Sequence, residues 1–195
     1  SATWLFGTMR RGGRAVFAFD VTNLVSDEDA PTKPTLKWAI GCPANFATDG
    51  TVSDTGCTTG ASDFGQTWSA ATVIKASGYP AAPLIMMGGG YDTCEDSDPH
   101  SCTSSVKGNG IYVIDASTGD ILTRLATDRP VVGDVAVIRN FTTGVASMAY
   151  AADLGGNVYR ISGANANSTF SNTDPANWTI TKIAAVGCAT PATCP

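Results

Sequence analysis

Short apolar segments alternate along the chain with turns of Gly, Asn, Asp and Pro, and they recur on a schedule. From residue 69 the sequence reads SAATVI, PLIMMGGGYD, GIYVIDASTGD and ILTRLA; from 133 it reads GDVAVIRN, ASMAYAADLGG, NVYRISG and WTITKIA. Both passages give four apolar segments in the same order, and their third segments begin 47 residues apart, at Ile111 and Val158. The first 41 residues supply the last three members, TWLFGT, AVFAFDVTN and TLKWAIG, with the third-segment equivalent starting at Val16. The segments are dense in Val, Ile, Tyr, Phe and Thr, which suit a pleated, half-buried surface and predict short strands.

A four-stranded unit returning every 40–50 residues or so is the signature of a β-propeller blade. The expected fold is therefore all-β, a propeller of four-stranded blades. Residues 1–41 form an incomplete blade, 42–68 an inter-blade loop, 69–126 a blade carrying a loop at 91–109, 133–185 a further blade and 186–195 a tail. Propellers usually close with about four blades or more, so these roughly three blades are expected to be a partial propeller from a larger one. YAADLGGNVYRISG (150–163) then reads as the tight turn between second and third strands. Asp153 and Asn157 would hold it by local side-chain hydrogen bonds, with Gly155 and Gly156 reaching positive φ.

Composition narrows the functional classes. The chain has 195 residues, 43% apolar and 15% charged, enough for a sizeable core. A formal charge of -5 and a pI near 4.6 give a field that repels nucleic acid and anionic membranes. The concentrated basic stretch RRGGR (Arg10, Arg11, Arg14) reads as a solvated turn. No apolar run reaches the length of about 18 residues that spans a membrane, and no signal peptide is visible. A chain opening on Ser1 is expected to be mature or excerpted from a longer one.

Six cysteines fall in neighbouring pairs: Cys42 with Cys57, Cys94 with Cys102, Cys188 with Cys194. Each pair brackets a polar, turn-rich loop, and none has the CxxC spacing of a zinc or redox site. Fifteen connectivities are open to six cysteines. The local one is expected, because short loops bring their own ends together most often, and it implies an oxidising compartment.

YDTCEDSDPHSC (91–102) gathers Asp92, Glu95, Asp96 and Asp98. It reads either as a cation site or acidic contact surface, or as a solvated polar loop; the spacing lacks the alternation and distal Glu of a calcium loop. His100, the only histidine, has no GxSxG elbow to serve. MGGGYD is followed by an acidic loop rather than a helix, so its glycines mark close approach of blades rather than a phosphate cradle. Trp4, Trp38, Trp68 and Trp178 lie near strand ends and are expected in inter-blade packing.

Five motifs in order, GTMRRGGRAVFAFDVTN (7–23), FGQTWSAATVI (64–74), MMGGGYD (86–92), GIYVIDASTGDIL (110–122) and YAADLGGNVYRISG, resemble the C-terminal propeller of the PilC/PilY family of type IV pilus proteins. That resemblance implies a non-catalytic protein of the Gram-negative cell surface, outer membrane or periplasm, at the pilus tip. Its implied partners are minor pilins of the tip complex and a host or abiotic surface, with no nucleic acid and no membrane span in this chain. Its implied roles are promoting pilus assembly, opposing retraction and supporting adhesion and twitching. Members often carry a calcium loop, DxDxDxxxD, just before the YAxDLxGN strand. Here Arg139, Phe141, Thr143 and Ser147 stand at those positions, so no calcium is expected at that loop and no cofactor elsewhere. The alternative is a periplasmic pyrroloquinoline-quinone dehydrogenase, whose blades use similar DxxTG turns. Such repeats usually place a Trp four residues after the Gly, where this chain has Thr123 after Gly119.

Overall fold

The computed structural model describes residues 2–24, 32–42, 54–98, 102, 107–170 and 173–187. Eleven strands make three antiparallel sheets among them. The first is β1 (Trp4–Thr8), β2 (Ala15–Asp20) and β3 (Thr35–Gly41). The second runs in order β4 (Thr72–Ala76), β5 (Tyr79–Gly88), β6 (Gly110–Asp115) and β7 (Ile121–Ala126). The third runs β8 (Ala136–Arg139), β9 (Ala146–Ala152), β10 (Asn157–Ser162) and β11 (Thr179–Ala185). Helical geometry is confined, in the described residues, to three short 3-10 turns. This is an all-β partial propeller, three sheets of three or four strands each.

Strand periodicity explains the stack. Side chains alternate across a strand, so a run apolar at every position presents an apolar surface on both faces. In β5, Leu84 and Met86 join a core with the third sheet, including Ala149, Ile161 and Phe170. Their neighbours Ile85 and Met87 point the other way, into a core with Val16, Ala18 and Ile40 of the first sheet. β6 repeats the split: Ile111 and Val113 face one side, Tyr112 and Ile114 the other. The middle sheet is thus buried between its neighbours. Each fully buried side chain of this size contributes about 1.5–3 kcal/mol.

Two tryptophans close these cores. Trp178 stacks on Phe170 with ring centroids 4.0 Å apart, between the second and third sheets. Trp38, on β3, donates its indole N–H to the Ala116 carbonyl at 3.1 Å and lies over the β6–β7 turn of the second sheet. Trp4 and Trp68 instead carry cations over their rings, Lys37 at 4.4 Å and Arg10 at 5.6 Å.

Strand alternation sends the β1–β2, β3–β4, β5–β6, β7–β8 and β9–β10 connections to one end of the stack, here the loop end. The remaining turns lie at the opposite end. MGGGYD is where the loop-end connections meet. Gly90 donates to the Val131 carbonyl at 3.0 Å, while Gly65 donates to Gly89 at 2.8 Å. A Cβ on Gly88 would sit 2.3 Å from the Val131 oxygen, and one on Gly89 2.6 Å from that of Gly108. No larger residue fits, which is why the run is glycine.

Candidate functional site

The loop end is held by charged side chains that cross between connections. Arg14, at the end of RRGGR, is buried rather than solvated. Its Nε donates to the Phe64 carbonyl at 2.6 Å, and a terminal nitrogen reaches the Ser62 carbonyl at 2.7 Å and Asp54 at 2.8 Å. Lys107, from the β5–β6 loop, meets the other Asp54 oxygen at 2.7 Å and shares the Ser62 carbonyl. Asp54 therefore joins three connections. The Lys107 and Arg14 hydrogen bonds hold its carboxyl below the usual carboxylate range. Nothing in the sequence distinguishes Arg14 from its exposed neighbours Arg10 and Arg11. The signal is only that it directly precedes an inward-facing strand residue.

Two disulfides frame this cluster. Cys42 is bonded to Cys57, which places Asp54 near Arg14, and Cys94 is bonded to Cys102 across the acidic loop. Carboxylate and sulfur cluster at Cys42, Asp54 and Cys57 and at Asp92, Cys94 and Cys102. Both sulfur pairs are joined as disulfides, so neither place offers a thiolate to a metal. Cys188, Cys194 and His100 lie outside the described residues.

The acidic loop does not gather its carboxylates. Asp92 is buried; its Oδ1 accepts from the Cys94 N–H at 3.0 Å and its Oδ2 from the Lys107 N–H at 2.5 Å, closing the loop base. Glu95 turns toward the third sheet, and its two oxygens accept from one Arg129 nitrogen at 2.8 and 2.6 Å. Asp96 accepts from the Tyr91 hydroxyl at 2.8 Å and, more loosely, from Arg11 at 3.5 Å. Burial and the Asp96 bond push the Tyr91 phenol up to about 12. Asp98 is exposed. Asp92 thus staples its own loop, while Glu95 and Asp96 reach the β7–β8 and β1–β2 connections through Arg129 and Arg11.

Arg129 passes the connection on. Its backbone N–H donates to Asp153 at 3.1 Å, and the other Asp153 oxygen accepts from the Gly155 and Asn157 N–H groups at 2.9 and 3.0 Å. This is the tight turn of YAADLGGN. Only Gly156 of its two glycines takes positive φ, at 73°. The Tyr159 hydroxyl donates to Asp153 at 2.9 Å and accepts from the Asp128 N–H at 2.9 Å. Acidic loop, β7–β8 connection and β9–β10 turn form one hydrogen-bonded chain.

A family model described as the PilY1 beta-propeller domain matches residues 1–188. This chain belongs to the PilY1 beta-propeller family. Membership associates it with type IV pili. The crystal structure of the Pseudomonas aeruginosa PilY1 C-terminal domain is similar over 92% of this chain, with a TM-score of 0.60 and 25% sequence identity. The chain spans 32% of that chain. No curated protein matches the sequence.

The positions read in the sequence as a degenerate calcium loop lie at the opposite end of this PilY1-type propeller, on and beside the β8–β9 turn. Arg139 donates to the Val73 carbonyl at 3.0 Å and Ser147 Oγ to the Ile138 carbonyl at 3.2 Å. Thr143 Oγ1 accepts from the Val145 N–H at 3.3 Å, and Phe141 is fully exposed. The side-chain oxygens of Thr143 and Ser147 close the turn on itself.

Proposed function

We propose that this chain is the propeller section of a non-catalytic type IV pilus biogenesis factor and tip adhesin. In this reading the protein promotes pilus assembly, opposes retraction, and supports surface adhesion and twitching motility. It acts outside the cytoplasm, at the pilus tip or outer membrane, with minor pilins as partners. The family match over residues 1–188 carries the proposal.

The loop end supports it physically. Its buried or half-buried charges are spent on one another, as Arg14 on Asp54 and Arg129 on Glu95, instead of converging on a common point where a reacting group could sit. Cross-latched loops of this kind make a rigid surface, and rigid loops on a scaffold suit recognition. The acidic loop 91–98, tied to the β1–β2 connection through Asp96 and to the β7–β8 connection through Glu95, is the part we assign to contact with a partner or surface.

The test is deletion of the gene encoding the full-length protein, with surface pili counted and twitching measured beside a retraction-deficient strain. Loss of pili that returns when retraction is disabled is the expected result. Normal pili together with loss of a periplasmic alcohol or sugar oxidation would overturn it in favour of a quinoprotein.

A further inference from the structure

The Cys42–Cys57 disulfide closes a circuit at the loop end. The Cys42 N–H donates to the Arg14 carbonyl at 2.9 Å, and the Cys42 sulfur is joined to that of Cys57. The Cys57 N–H donates to the Asp54 carbonyl at 3.3 Å, and the Asp54 carboxylate returns to the Arg14 guanidinium at 2.8 Å. One further step reaches the acidic loop. Lys107 Nζ meets the second Asp54 oxygen at 2.7 Å, and the Lys107 N–H donates to buried Asp92, which also holds the Cys94 N–H.

Of these links the covalent one does not compete with water. The Asp54 side chain is 47% exposed, and an ion pair so open to solvent contributes little by itself. A crosslink across a separation of 15 residues removes many conformations that an open connection would sample, and it leaves Asp54 within one turn of a fixed point at Cys57. With that bond open, the weak pair has to order the connection against the backbone entropy of each residue in it. The Arg14 guanidinium, buried in either case, then loses the Asp54 carboxylate.

We infer that the loop end is gated by thiol oxidation: joining Cys42 to Cys57 sets Asp54 on Arg14 and Lys107, and so fixes the base of the acidic loop at Asp92. The oxidant is of the disulfide-donating class. Cys57 is half-buried and Cys42 fully buried, so exchange enters at Cys57. The Cys57 thiolate bonds one sulfur of the oxidant and releases the other as a thiolate; the Cys42 thiolate then displaces the oxidant from Cys57. The protein thiols give up both protons and an electron pair, and the oxidant leaves as a dithiol. A dithiol reductant runs the same steps backward. Protein that has not met the oxidant carries an unlatched loop end. The inference rests on the pilus reading only for the role of the acidic loop in contact.

The experiment follows hydrogen exchange at the Lys107 amide by mass spectrometry in the full-length protein. It compares the parent, Asp54→Asn, Cys42→Ser with Cys57→Ser, and all these changes together. In the parent background Asp54→Asn is expected to raise the exchange about fivefold, the upper end for a half-exposed ion pair. Without the crosslink the amide should exchange at least as fast as in Asp54→Asn, and adding Asp54→Asn should then change nothing. An equal effect of Asp54→Asn in both backgrounds overturns the inference, as does unchanged protection of Lys107 when the crosslink is lost. Should the cysteine variant fail to fold, the parent is reduced stepwise with a phosphine and its opened thiols are labelled with a maleimide. Lys107 exchange should then rise in step with labelling of Cys57. Exchange that stays flat as Cys57 is labelled, or that follows Cys94 instead, overturns the inference. Normal piliation in the gene deletion would defeat the pilus reading but leave the exchange result standing. Flat exchange in a protein whose deletion abolishes pili would defeat only the oxidation gate.

Discussion

Arg129 donates from one terminal nitrogen to both carboxylate oxygens of Glu95, 34 positions earlier in the chain. The Glu95 side chain is 7% exposed and that of Arg129 19%, so the pair is largely out of water. Removing one partner strands the other. Glu95→Ala is expected to cost about 3 kcal/mol, the low end for breaking a buried pair, because Arg129 keeps some access to solvent. Replacing both residues with Met should recover most of that loss, since desolvation cancels much of a buried pair's gain. Denaturant unfolding of the single and double variants checks this, and equal losses in the two would show that the side-chain packing matters rather than the charge.

Gly119 in the β6–β7 turn has φ of 84°, and a Cβ there would lie 2.9 Å from Cδ2 of Trp38. The turn and the ring come from different sheets, so the glycine is a joint between blades. Gly119→Ala combines a left-handed backbone with a ring collision and is expected to destabilise by about 2 kcal/mol or more. Trp38→Phe keeps a ring but loses the bond to the Ala116 carbonyl, costing about 1–3 kcal/mol. Thermal unfolding reads both. A Gly119→Ala protein as stable as the parent would mean that Trp38 can leave the turn freely.

The same joint shows what was legible in the sequence. Four-segment periodicity was enough for the strands, because alternation of apolar residues is a local property of each strand. It also located the turn at Asp153 and the crowding at Gly88 and Gly89. What it could not show was pairing between loops. Thr123, not a Trp, stands four residues after Gly119, and the ring that covers the turn is Trp38, 81 positions before the glycine. Arg14 read as a solvated turn residue for the same reason: its partners Phe64, Ser62 and Asp54 come from a connection at least 40 residues away. The acidic loop read as a choice between cation site and solvated loop. Its residues divide instead among a backbone staple, an ion pair and a tyrosine, which depends on where the third sheet lies.

Asp153 is the acceptor on which the β9–β10 turn depends. It is buried, and the N–H groups of Gly155, Asn157 and Arg129 and the Tyr159 hydroxyl all donate to it. Burial above all, reinforced by the bond to Asp153, drives the Tyr159 phenol above its ordinary range. Asp153→Ala leaves several donors unmet and is expected to cost about 3 kcal/mol or more, whereas Tyr159→Phe, which also deprives the Asp128 N–H of its acceptor, should cost about 1–3 kcal/mol. The two changes share a bond, so their costs in the double variant should add to less than the sum. Strict additivity in a double-variant unfolding cycle would mean that the hydroxyl and the carboxylate are not coupled.

Asp54 gives the loop end a dependence on acid. Its carboxyl is lowered from 3.8 first by the Lys107 hydrogen bond and then by that of Arg14. A carboxyl whose folded pKa lies below its unfolded value stabilises the fold above the unfolded pKa, and loses that contribution as pH falls through the folded one. The stabilisation should thus be level at neutral pH, begin to fade near pH 4 and vanish below the lowered pKa. Because the Asp54 side chain is 47% exposed, solvent and salt screen the pair, and the contribution is expected to be about 1 kcal/mol or less. The check is the stability gap between the parent and Asp54→Asn, followed by urea unfolding from pH 7 downward. The gap should close below about pH 4, and should shrink at neutral pH when salt is raised. A gap that persists unchanged to pH 2 would show that the Asp54→Asn variant fails by shape, not charge, and that the Arg14 and Lys107 contacts do not depend on the ionised carboxylate.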